Sequence, residues 1–495
     1  MEKHWIFLII LIAYFLVLII IAEITAKGAT KDTFFIANRS SSWYLVAFGM
    51  IGASLSGVTF ISVPGSVLTK SFSYFQMVLG YLLGYLVIGT VLMPLYYRLN
   101  LVSIYTYLEQ RFGFWSYKTG AFFFLLARTV GASLRLYLSA MVLHLALFEP
   151  LGMSFWQTAI LSIALIWVYT YKGGIKTIVW TDTLQTFFMI AAILGCVWLI
   201  AQNLDWSLLQ TVNEVNASPL SQIFFWESLD IKFFPKQFMA GAFVALVMTG
   251  LDQDMMQKNL TCRSIGEAQK NMFWFTLVLV FVNFIFLMLG ALLYIYAEVK
   301  GISLPMKDGV VITDKVFPFL ALEHFGLGVG ILFMLGVVAS TYASADSALA
   351  SLTTSFCVDF LNIYQEKDES KQKLQLRYVH IGFSALLVVM ILLFSLLVEQ
   401  YPSTNVISIV FRAAGYTYGP LLGLYTLGLL TKRQIRDKFV PYVCVIGPCL
   451  GYFVSEWLAK NVSYKFTDEI IVLIGIITFL GLWGISTSPK TKTQD

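Results

Sequence analysis

Thirteen apolar runs succeed one another along the chain, near 4–24, 43–68, 74–98, 117–147, 155–171, 178–202, 235–256, 271–299, 326–358, 374–398, 403–431, 438–460 and 467–486. Polar and charged residues gather in the short segments between them. About 20 apolar residues cross a bilayer as a helix. The pattern therefore predicts an all-α polytopic membrane protein with about thirteen transmembrane helices.

Lysine and arginine set the expected orientation. Segments 24–43, 98–118, 172–176, 258–270, 359–377, 432–438 and the C-terminal tail carry 21 of the 33 basic residues. The opposite side carries nine, and Arg128, Arg135 and Arg412 fall within spans. The excess of positive charge on cytoplasmic loops predicts an N-terminus outside and a C-terminus inside.

Composition narrows the class. The chain has 495 residues, 58% of them hydrophobic and 12% charged, and a mean hydropathy of +0.77. Its loops are too short for a separate soluble domain. A net charge of +5 gives no nucleic-acid signature. The five cysteines and four histidines show no disulfide or metal spacing. There is no Ser-His-Asp arrangement, phosphate loop or His-Glu-x-x-His motif. The sequence thus predicts no enzyme, organic cofactor or obligate protein partner; the expected partners are the bilayer and a small solute. The run at 5–22 exceeds a signal-peptide core of roughly 7–15 residues and reads as a retained helix.

Two spans are interrupted. The second holds Gly49, Gly52, Gly57, Pro64 and Gly65 among Ser54, Ser56, Thr59 and Ser62; the seventh holds Gly241 and Gly250. They stand five spans apart. A matched pair of broken helices points to a midplane site in inverted-repeat transporters. The competing explanation is close helix packing at small residues.

Ionisable residues within spans need compensation, since a charge near the bilayer centre costs roughly 2.5–3.5 kcal/mol. Asp182 opens the sixth span. The ninth presents Ser340, Ser344, Ser347 and Ser351 at helical spacing, with Asp346 beside them. Hydroxyls and carboxylates are hard ligands suited to a hard cation. A proton shared by Asp182 and Asp346 is the alternative, and for the serines alone a polar helix seam. Arg128 and Arg135 lie seven apart on one face. Either captures a substrate carboxylate, pairs internally with Asp182, Asp346 or Glu109, or snorkels to the interface. Arg412 has the same two readings.

Four segments in order resemble the sodium/solute symporter family, whose members include sodium–glucose, proline and sialic acid transporters. They are Ser103–Gly113, Gly173–Gln185, Leu251–Lys258 and Tyr418–Gly423. The resemblance spans nearly the whole chain and implies a LeuT-like core of five plus five inverted helices. Residues 43–202 and 235–431 would form the two repeats, joined by an extracellular loop at 203–234. Residues 1–42 and 432–495 would add the outer helices and tails. The resemblance implies one or two Na+ ions. The main site maps to the carbonyls of Gly52 and Leu55 and to Ser340, Ala343 and Ser344; Ala343 departs from the usual hydroxyl, and Thr341 is the alternative donor of one. A second site maps to Asp182, Asp346 and Ser347. Substrate positions map to Ser54, Ser56, Thr59, Arg135 and Phe411. The proline branch has an aspartate at the place of Ser54, and the sugar branch a glutamine at that of Phe411. The resemblance therefore implies a sodium-coupled cell-membrane symporter for a small organic solute, a carboxylate such as a sialic or other sugar acid. Proton coupling, a neutral solute and a transporter-like nutrient sensor are the alternatives.

Overall fold

Backbone polar groups find no partner in hydrocarbon, so a chain this apolar satisfies them within helices. The computed structural model describes residues 3–25, 31–170, 174–228, 230–400 and 405–487. Lys172 and Gly173 of the Asp182 segment lie outside them, as do Lys27, Lys490 and Lys492 of the cytoplasmic charge set. The described chain is almost wholly helical, with two short ribbons, Met306–Lys307 on Val310–Val311 and Gln434–Ile435 on Ser486–Thr487.

The long elements are Lys3–Thr25 (α1), Trp43–Ser54 (α2), Gly57–Lys70 (α3), Tyr74–Val87 (α4), Phe114–Leu143 (α5), Phe155–Thr170 (α6) and Gly174–Asn203 (α7). Then come Phe234–Ala245 (α8), Gln253–Asn259 (α9), Ile265–Val299 (α10), Gly326–Ser355 (α11), Glu369–Gln400 (α12), Val406–Leu430 (α13), Val440–Asn461 (α14) and Ile470–Gly484 (α15). Each apolar run of the sequence contains one helix or one broken pair. By length and apolarity, eight helices among the described residues suffice to cross a membrane, nine with the bent pair α8–α9. Three shorter apolar helices, α2, α6 and α15, fall below that length.

Both predicted interruptions are present. Helix α2 stops at Ser54; Leu55 leaves the helical region (φ −90°, ψ 73°), and α3 restarts at Gly57. Helix α8 widens into a π turn at Leu246–Gly250, then bends by 69° into α9. Asp252 caps α9, its Oδ1 accepting the N–H groups of Asp254 (2.9 Å) and Met255 (3.2 Å). Such a side-chain acceptor satisfies donors a helix start leaves free.

Packing sets where these breaks lie. Helix α11 runs along α7 and also touches α2 and α3; α8 lies against α4, and α13 against α15. The α4–α8 seam is close because Gly241 faces the Met77 backbone, with no room for a methyl. The outer faces carry Leu393 and Leu396 of α12 and Phe453 and Trp457 of α14, exposed as a lipid-facing surface demands.

Candidate functional site

The α2–α3 break leaves carbonyls without helical donors, as any helix end does. Among the described residues no hydrogen bond is donated to the carbonyls of Gly52 or Leu55. Helix α11 passes beside them. A methyl on Gly52 would lie 3.5 Å from the Ala343 Cβ. Ser340 and Ser344 are buried next to it. The Ser340 hydroxyl donates to Val337 O (3.1 Å), whereas that of Ser344 makes no hydrogen bond among the described residues. Thr341 donates to Val337 O (2.6 Å) and faces the start of α3 at Gly57. The structure therefore brings Gly52, Leu55, Ser340, Ala343 and Ser344 to one place. These are uncharged oxygens, a donor set for a hard monovalent cation.

Asp182, Asp346 and Ser347 also come together, with a neighbour that the spacing of the sequence did not reveal. The Lys258 ammonium lies 2.6 Å from Asp182 Oδ2, and both side chains are almost wholly inaccessible, at 1% and 0%. Lys258 was expected in a cytoplasmic loop; it is instead buried on α9, which folds back inside. Ser347 Oγ is 3.5 Å from the same Asp182 oxygen. Asp346 accepts from its neighbour's amide, Ser347 N (2.6 Å), and from the Tyr169 hydroxyl (3.1 Å). Thr186 donates to Asp182 O (2.7 Å) and accepts from Gly52 N (3.0 Å), which links this cluster to the α2 break. No spacing in the sequence signals this pair, since Lys258 and Asp182 stand 76 residues apart.

The two span arginines part ways. Arg128 pairs with Asp254 and sits 4.0 Å from Asp252. Neither partner is one the sequence suggested. Tyr418 of α13 donates to Asp252, closing a buried network of α5, α9 and α13. Arg135, one face-repeat further, forms no ion pair with any described residue. It lines a central cavity of about 80 Å³ together with Ser54, Ser56, Thr59 and Phe411. Phe411 stacks on Tyr74 (centroids 6.4 Å apart, 25° between planes). That pair borders both this cavity and an outer one of about 170 Å³ holding Lys70, Lys232, Arg412 and Asp468. Arg412 is thus exposed in the outer vestibule rather than buried in a span.

Comparison with known proteins settles the class. The sodium:solute symporter family matches residues 34–437. The chain belongs to this family. It is a sodium-coupled symporter for a small solute, a multi-pass membrane protein and not an enzyme. Similar proteins include the sodium/sialic acid symporter NanT of Aliivibrio fischeri, 24% identical over 477 residues (94% of this chain, 90% of the relative). The human sodium-coupled monocarboxylate transporter 2 is 23% identical over 448 residues (88% and 68%). The sodium/glucose cotransporter of Vibrio parahaemolyticus is 24% identical over 482 residues (93% and 86%). In fold, the symporter resembles the substrate-bound outward-open state of a Na+-coupled sialic acid symporter (TM-score 0.80, 19% identity, 97% of both chains).

Proposed function

We propose that this symporter carries an organic carboxylate, a sialic or other sugar acid, with Arg135 as the carboxylate-binding residue. The observation that carries this reading is the Arg135 guanidinium, which faces the cavity without a carboxylate of its own while Arg128 is neutralised by Asp254. Arg135 is half-buried; a cation partly withdrawn from water without a counter-charge is costly, and a substrate carboxylate in two-point contact supplies one. Ser54, Ser56 and Thr59 add hydroxyls from the broken helix. The solutes of the relatives, sialic acid and monocarboxylates among them, agree with an anionic cargo.

Sodium binds in this reading at Gly52, Leu55, Ser340, Ser344 and the Ala343 backbone. The Asp182 position already holds the Lys258 ammonium, so one ion accompanies one solute. The basic loops face the cytoplasm. The test is uptake of N-acetylneuraminate into proteoliposomes. Arg135→Ala should weaken binding about 10- to 100-fold, the range for a hydrogen bond to a charged group. Unchanged affinity would retire the carboxylate role. Uptake that proceeds equally in potassium-only buffer at fixed pH would retire sodium coupling.

A further inference from the structure

A second residue of the central cavity carries a polar atom that no described residue satisfies. Asn283, on α10, is buried at 1% exposure and lines the same cavity as Arg135, Ser54 and Thr59. Its Nδ2 donates to Leu279 O, one turn back, at 2.8 Å. That bond fixes the amide orientation, because a carbonyl accepts only from the NH2 end. The Oδ1 is left buried without a partner. Asn271 and Gln257 also carry unpartnered amide oxygens, but they do not line this cavity. A buried acceptor of this kind requires an explanation. A site built to receive a donor rejects analogues lacking it far more strongly than an apolar pocket rejects a missing methylene.

We propose that Asn283 Oδ1 accepts a hydrogen bond from a hydroxyl or amide N–H of the solute whose carboxylate sits on Arg135. The carrier then selects hydroxylated or N-acylated acids over plain aliphatic monocarboxylates. This rests on the carboxylate reading above and divides its candidate substrates into two classes. Asn283 is a specificity-determining residue that touches the solute; it has no part in holding sodium.

The experiment measures competition with a labelled tracer, N-acetylneuraminate, in proteoliposomes, using unlabelled N-acetylneuraminate and butyrate as probes. The wild type should prefer N-acetylneuraminate by at least about 100-fold, since several donors are matched at once. Asn283→Leu, of similar volume, should weaken N-acetylneuraminate by about 5- to 100-fold, the range for one unmet buried hydrogen bond, and leave butyrate unchanged. Equal loss on both acids, or loss on neither, overturns the proposal. So does a wild type that takes butyrate as readily as N-acetylneuraminate, a result that needs no folded variant. Arg135→Ala should weaken both acids; if it weakens neither, the carboxylate reading fails separately.

Discussion

Single residues carry the charge logic of this symporter. Lys258 and Asp182 form a buried ion pair, and breaking such a pair leaves one uncompensated charge at roughly 3–5 kcal/mol. Asp182→Asn or Lys258→Met alone should therefore lower thermal stability in detergent sharply, and the double variant should recover most of the loss. Additive losses would show that the two charges do not compensate each other. At the proposed ion site, the Ala343 methyl lies 3.5 Å from where a Cβ on Gly52 would stand. Ala343→Ser should reduce the sodium concentration for half-maximal uptake several-fold, and Ser344→Ala should raise it about tenfold, one hydrogen-bond-sized interaction. In the outer vestibule, burial pushes Asp468 up to about 6, against the pull of Lys70 and Lys236 and with Glu469 adding to the rise. As pH falls through 6 its negative charge is lost, and the positive charges of Lys70, Lys232 and Arg412 are less offset. Initial uptake of an anion should rise between pH 7 and 5.5, and Asp468→Asn should flatten that profile. Sequence spacing put Arg128 and Arg135 on one face but could not say which was neutralised, because Asp252 and Asp254 arrive from a helix more than a hundred residues away.

The two broken helices were legible, the second span from its cluster of glycine, serine and proline and the seventh from Gly241 and Gly250, because those residues tolerate close approach and an interrupted ladder. The sharp fold of α9 back into the protein was not legible. Read linearly, Lys258 joins Arg263 and Lys270 in a basic stretch that resembles any cytoplasmic loop. Only packing against α11 and α2 shows that the first turns of that stretch are interior. Glycine also sets the α4–α8 seam. Gly241→Ala places a methyl against the Met77 backbone, which cannot swing aside as a side chain would. Overpacking of this kind costs about 1–3 kcal/mol, so the variant should unfold at lower temperature and transport more slowly. Gly382→Ala on α12 meets nothing within 4 Å and should be silent in both measurements.

At the scale of the whole molecule, the central cavity lies where the broken helices converge with α5, α10 and α13. The Tyr74–Phe411 pair borders both this cavity and its neighbour, and Met255 of α9 lines it from another side. A cavity of about 80 Å³ holds several waters, so it must widen to take a sugar acid. Ion count decides the driving force. One sodium with one monovalent anion moves no net charge, whereas two sodium ions move one, worth about 2.3 kcal/mol per 100 mV. Steady accumulation of N-acetylneuraminate should therefore change little when a potassium diffusion potential of about 100 mV is imposed. A response near 40-fold, the conversion of that energy at 1.4 kcal/mol per tenfold, would restore the second ion.

The sequence alone determined the membrane class, the helical architecture, the paired interruptions and the oxygen-rich stripe on α11. These stem from local rules: apolar length, hydrogen-bond demand in hydrocarbon, and three- to four-residue spacing. The tertiary structure alone decided which charges meet. It buried Lys258 on Asp182, assigned Arg128 to Asp254, left Arg135 lining the cavity and the Asn283 oxygen buried without a described partner, and placed the exposed Arg412 at the neighbouring cavity. Charge compensation acts over a few ångströms through space, and residues that distant in the chain leave no trace of it in their spacing.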